Sequence, residues 1–182
     1  NVTLITEKDA KRVMVPTSNI GYDWIDNAEP YDDANWVQVA ASDCPTGVGY
    51  ENNPGSATSY IDFIAHDVGA QMSGIMTSCY FRIPFVLDID PNELNSLTLK
   101  IRYDDGFVAY LNGTKVAEAN APATLAWNSA ATTGHEADYE ETFYISEYIG
   151  NLSEGEIVLA IQGLSLNTTS SDFLITAELK GS

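Results

Sequence analysis

Residues 97–103 alternate Leu97, Leu99, Ile101 and Tyr103 with Thr98, Lys100 and Arg102. Such period-two patterning predicts a strand with one face on a core and the other toward water. Asp104-Asp105-Gly106 interrupts it, and a second apolar run follows at 107–111. Asn112-Gly113 then marks a two-residue hairpin turn, because both residue types accept positive φ. A third run at 115–119 completes an antiparallel meander. Further strands are expected at 80–87, where Pro84 points to an edge or a bulge, and at 140–144, 157–162 and 172–179. Val13-Met14-Val15 reads as a first strand, another begins at Trp36, and one more falls within 59–65. Residues 145–152 read as a short helix. Strands at short intervals without a long helical period predict an all-β sandwich.

The connections are as informative as the strands. Residues 43–78 are rich in Gly, Ser, Asn and Pro, and 120–138 in Ala, Thr and Asn. Long connections of this kind concentrate function. Within PYDDANW (30–36), Asp32 or Asp33 is placed to cap backbone N–H groups in an Asx or helical turn. Residues 1–12 read as a leader or linker ahead of a single β-sandwich domain at 13–180.

Charge narrows the partners. The 182 residues carry 26 acidic and 8 basic side chains, a formal net charge of −18. That surface repels phosphate backbones and anionic membranes, which argues against nucleic-acid and membrane partners. No apolar run of about 18 residues is present to span a bilayer. The acidity suits calcium binding, a saline habitat or solubility alone. The opening residues contain no initiator Met and no basic-then-apolar leader, so the chain reads as a processed protein or a module of a longer one. Cys44 and Cys79 are expected to form one disulfide in an exported protein, with two unrelated thiols as the alternative. The bridge would close a loop of about 35 residues and contribute roughly 4 kcal/mol on chain-entropy grounds.

Catalytic signatures are weak. His66 and His135 stand beside no nucleophile elbow, and no phosphate loop or dinucleotide fingerprint occurs. The many acids nominate no glycosidase pair above chance. Recognition is the better reading, and sugar recognition needs aromatic faces plus paired hydrogen-bonding groups. Trp127 suits the first role, because its surroundings ATLAWNSAATT cannot bury it locally; the alternative is a plug on the sandwich edge. Asp104 and Asp105, with Asn112 nearby, suit the second role and a calcium ion. Their alternative is a turn in which one carboxylate accepts backbone N–H groups, Asn112 serving the hairpin. Trp24, Trp36 and Tyr50 read as structural.

Taken in order, Trp24, PYDDANW (30–36), GVGY (47–50), YFRIPFVL (80–87), RYDDGFVAYLNG (102–113), IVLAIQ (157–162) and SSDFLITAEL (170–179) resemble the galactose-binding-like β-sandwich modules of large secreted bacterial proteins. The resemblance implies a jelly-roll sandwich and a non-catalytic carbohydrate-binding module. Such a module tethers an attached extracellular enzyme to polysaccharide or oligosaccharide; a structural or adhesion spacer is the other role it implies. Covalently linked neighbouring domains would be its partners. The DDG-to-LNG block is also similar to protective-antigen-type lectin domains. That similarity implies that Asp104 and Asp105 hold a calcium ion, which in turn holds sugar hydroxyls.

Overall fold

A computed structural model describes residues 1–26, 30–44 and 46–182. Among the described residues twelve strands run in chain order: β1 (Val2–Ile5), β2 (Lys11–Met14), β3 (Val37–Val39), β4 (Gly47–Glu51), β5 (Ile64–Asp67), β6 (Ser78–Leu87), β7 (Leu97–Asp104), β8 (Gly106–Leu111), β9 (Thr114–Ala119), β10 (Glu141–Tyr144), β11 (Gly155–Leu164) and β12 (Asp172–Gly181). They form two six-stranded sheets. The first has the order β10-β7-β12-β4-β5, with β1 also paired to β12; the second has the order β3-β2-β6-β11-β8-β9. The architecture is the all-β sandwich expected, and its helical content is confined to short turns such as Ser146–Asn151.

Alternation explains how the layers meet. Leu97, Leu99 and Ile101 of β7 face Phe81 and Ile83 of β6 and Ile157, Leu159 and Ile161 of β11 in one continuous core. A one-residue slip in any of these strands would turn its apolar set outward, so the core fixes register. The β8–β9 hairpin turns at Asn112 and Gly113 with φ of 49° and 85°, the conformation for which the Asn-Gly pair is suited.

A smaller aromatic layer covers the outer face of the second sheet. Trp24 stacks on Tyr80 with centroids 4.2 Å apart, and Trp36 packs beside them. Arg82 points the same way and is 4% exposed. Its Nε donates to Asp33 Oδ2 at 2.9 Å and its Nη1 to Asp26 O at 3.1 Å and to Trp24 O. Asp32 fills the capping role, its Oδ1 accepting the Ala34 N–H at 3.1 Å.

Three expectations are corrected. Residues 1–12 do not trail as a leader: β1 pairs with β12, Val2 opposite Gly181, and Ile5 enters the core. Lys11, 3% exposed, closes this edge by donating to Thr46 O at 2.9 Å and to Glu7 O at 3.2 Å. Burial lowers its pKa to about 8. β1 is short, four residues, and is completed by the neighbouring strand β12. The stretch 59–65 is mostly a turn at Ile61–Phe63, followed by β5 running parallel to β4.

The disulfide is the third correction. Cys44 is exposed and Cys79 is buried, and both thiols are free. Cys79 points between the sheets from β6, so meeting a thiol on an outer loop would require turning the strand over. Burial pushes the Cys79 thiol well above the usual range. A thiol reagent should therefore titrate Cys44 in the native protein and Cys79 only in denaturant, with reductant leaving the melting midpoint unchanged. A native protein with no titratable thiol would contradict this.

Candidate functional site

The strand break at Asp104-Asp105-Gly106 becomes the point where three long connections converge. The Asp104–Asp105 peptide bond is cis, and the two carboxylates have different surroundings. Asp105, 6% exposed, accepts the His135 N–H at 2.9 Å through Oδ1 and the Leu166 N–H at 2.6 Å through Oδ2. Its own carbonyl accepts Asn120 Nδ2 at 2.8 Å. Charge-assisted bonds to backbone are about twice as strong as neutral ones. Asp105 thus fixes the β9–β10 and β11–β12 connections to the end of the sandwich.

Asp104 is 1% exposed and turns to the outer side of the first sheet. Its Oδ2 accepts from the Tyr60 hydroxyl at 2.9 Å, while Oδ1 is buried with no partner among the described residues. Tyr60 Oη lies 3.0 Å from Glu136 Oε2 and accepts the Ala137 N–H at 2.9 Å. A phenol has one proton to give, so it cannot donate to both carboxylates. Both contacts are hydrogen bonds only if one carboxyl keeps its own proton. Burial, then the Asp105 charge beside it, raises Asp104 to about 8. Asp104 is therefore the group that holds the proton near neutrality. Burial and the neighbouring Asp104 charge likewise push the Tyr60 phenol upward.

His135 latches the same connection. Its ring stacks on Tyr103 with centroids 4.1 Å apart. Nδ1 is 3.0 Å from Tyr103 O, and Nε2 is 2.6 Å from Glu141 Oε1. A carbonyl only accepts, so Nδ1 carries a proton. The Nε2–Glu141 contact then needs a second one, on the ring or on the carboxyl.

The remaining expected site residues lie elsewhere. Asn112 occupies the opposite end of β8, about 23 Å from Asp105 at 3.3 Å per residue, and its positive φ serves the hairpin. Trp127 is half-buried against the Trp24–Tyr80 layer. Its carbonyl accepts the Tyr80 hydroxyl at 3.2 Å, so it helps cover the second sheet and does not join the aspartates. Calcium takes six to eight oxygens. Both Asp105 oxygens already accept N–H groups, and among the described residues no three His, Cys, Asp or Glu side chains converge to hold a metal. The orphaned Asp104 Oδ1 is the feature of this centre suited to a cation. Tyr60, His135 and Glu136 were not legible as site residues, since each lies in loop text and meets Asp104 or Asp105 only through the fold.

No protein-family profile matches the chain, and no curated protein sequence aligns with it. Among solved structures it is similar to a calcium-binding mutant of Bacteroides uniformis β-glucuronidase 2. Identity is 14% and the TM-score 0.50, over 92% of this chain and 17% of that one. A β-glycosidase from Bacteroides vulgatus is similar at 12% identity and TM-score 0.48, over 100% of this chain and 20% of that one. The PA14 domain of the MpAFP antifreeze protein is similar at 12% identity and TM-score 0.39, over 100% of this chain and 85% of that one. At these identities the likeness is one of fold, and only the first comparison bears on it. The chain spans a fifth or less of the two glycosidase chains it matches.

Proposed function

We propose that this chain is a carbohydrate-binding accessory domain, itself without catalytic activity, of a larger carbohydrate-active enzyme working outside the cell. The observation that carries the reading is one of proportion. The same sandwich accounts for 92% of this chain but 17% of a β-glucuronidase chain, the share of an appended domain and not of a whole enzyme. The galactose-binding-like character read from the sequence belongs to this proposal, as do a glycan ligand and covalently linked neighbours. The role of the Asp104–Tyr60–Glu136 and Asp105 bonds is to hold the long connections in one arrangement, which lowers the ordering cost of binding. Affinity electrophoresis through a panel of polysaccharides tests the reading. At least one glycan should retard the protein, equally with and without chelator, and none should release reducing ends. Free migration through every glycan, or hydrolysis of any, would overturn it.

One observation favours a second reading, a spacer that positions neighbouring domains. Trp127 and Asp105, the side chains best suited to a ligand by sequence, are both turned onto the sandwich itself. A spacer predicts no retardation, while Asp105→Ala still lowers stability.

Calcium is tested separately. A ligand bound only to the native state raises the melting midpoint by mass action. With a proton satisfying Asp104, equal midpoints are expected in millimolar calcium and in chelator. A clear rise in calcium would mean that a cation replaces that proton.

A further inference from the structure

The aromatic layer over the second sheet stops short of the strand ends. Trp24 and Trp36 cover Tyr80 and Ala160, but beyond Arg82 the outward positions of β6 are open, and Val86 is 60% exposed. A cleft of about 540 Å³ lies there, and among the described residues its lining includes Arg12, Tyr31, Asp33, Arg82, Pro84 and Glu156. That volume falls within the roughly 300–1,000 Å³ of small-ligand clefts. It is also remote from Asp104. On β11 the cleft adjoins Glu156, whereas Asp105 bonds to Leu164 O, about 26 Å along the strand.

Three features separate this cleft from an ordinary surface hollow. First, its lining is braced by contacts. The Arg82 guanidinium is fixed by Asp33, Trp24 O and Asp26 O, and it lies 5.0 Å from the Tyr31 ring centroid. Tyr31 in turn meets Trp36 edge-on at 6.0 Å. A lining already ordered loses little freedom when a ligand enters. Second, apolar and polar groups are set together. Tyr31 and Pro84 offer C–H and ring surface beside Arg12 and Asp33, whose groups hydrogen-bond paired hydroxyls. Arg12 is only partly engaged, its Nε lying 3.8 Å from Asp33. Third, the charges balance. Two guanidiniums face two carboxylates, in a chain whose net charge of −18 repels anionic ligands at longer range.

We infer that this cleft is a glycan-binding site for a neutral pyranose segment, with Tyr31 as its apolar wall and Arg12 and Asp33 as its hydroxyl-binding groups. The inference rests on the carbohydrate-binding reading above and adds to it a place and a ligand class. Isothermal titration of the full chain with cellohexaose, xylohexaose, mannohexaose and trigalacturonate tests it. One of the neutral oligosaccharides should bind, and both Tyr31→Ala and Arg12→Ala should weaken that binding at least tenfold, with Trp127→Ala unchanged. If Tyr31→Ala fails to fold, Arg12→Ala on the half-buried rim decides. A neutral sugar bound equally by wild type and Arg12→Ala, or lost only in Trp127→Ala, would overturn the cleft and leave the carbohydrate reading standing. Preference for trigalacturonate would overturn the ligand class. Absence of binding to all four would overturn the inference, and free migration in the electrophoretic panel would then remove the wider reading as well.

Discussion

Between pH 4 and pH 8 the wild-type protein is expected to lose on the order of 3–5 kcal/mol of stability that an Asp104→Asn variant keeps. The sign follows from where the proton sits. Burial and the adjacent Asp105 charge raise the Asp104 pKa in the folded protein from 3.8 to about 8. Below the lower value both the folded and the unfolded chain hold the proton, and the group contributes nothing to the difference. Between the two values the unfolded chain has released it, so folding must recapture it, at about 1.4 kcal/mol for each pH unit. Above about 8 the loss levels off. The asparagine amide can donate to Tyr60 in place of the carboxyl proton without titrating, so the part of the slope due to residue 104 should vanish. Urea unfolding of both proteins across this range gives the difference directly. A difference that stays flat from pH 4 to pH 8 would contradict a buried, protonated Asp104.

The second large effect is expected at Gly49 in β4. A Cβ there would stand 1.9 Å from Phe173 O and 3.0 Å from Leu174 Cα. Both atoms belong to the backbone of β12, which cannot move aside because β7 pairs along its other edge. Gly49→Ala should therefore cost more than about 3 kcal/mol, the upper range for overpacking. Leu174 is also the cross-strand partner of Asp104, so any folded remainder should show a weakened Asp104–Tyr60 contact. Denaturant unfolding measures the cost. An alanine variant within about 0.5 kcal/mol of wild type, the scale of an unremarkable surface change, would show that the sheet tolerates the insertion.

What could be read from the sequence was local. The alternation of 97–103, the Asn-Gly turn and the apolar runs at 80–87 and 157–162 each carry their signal within a few residues, and each became the expected strand or turn. Strands completed by distant partners were harder. Val2–Ile5 is a strand because β12 lies beside it, and nothing in the first residues announces that pairing. The candidate site was half legible for the same reason. The Asp-Asp-Gly interruption marked the right place on the chain, but Tyr60 lies 44 residues away from Asp104 in text without period. Which carboxylate would accept backbone N–H groups, and which would be left with an orphaned oxygen, depends on how the loops fold over them. For Trp127 the sequence left a ligand face and a plug both open, since local sequence cannot show that the Trp24–Tyr80 layer will receive it.

The glycan-binding account is tested most directly by a backbone ¹⁵N–¹H titration of the intact chain with a neutral hexasaccharide that retards it in gels. Saturable shifts confined to residues around Arg12, Tyr31, Asp33 and Glu156, with Asp104 and Asn112 unmoved, are predicted. Spectra that do not change at millimolar oligosaccharide, or that change around Asp105 and the 131–138 connection instead, would contradict it.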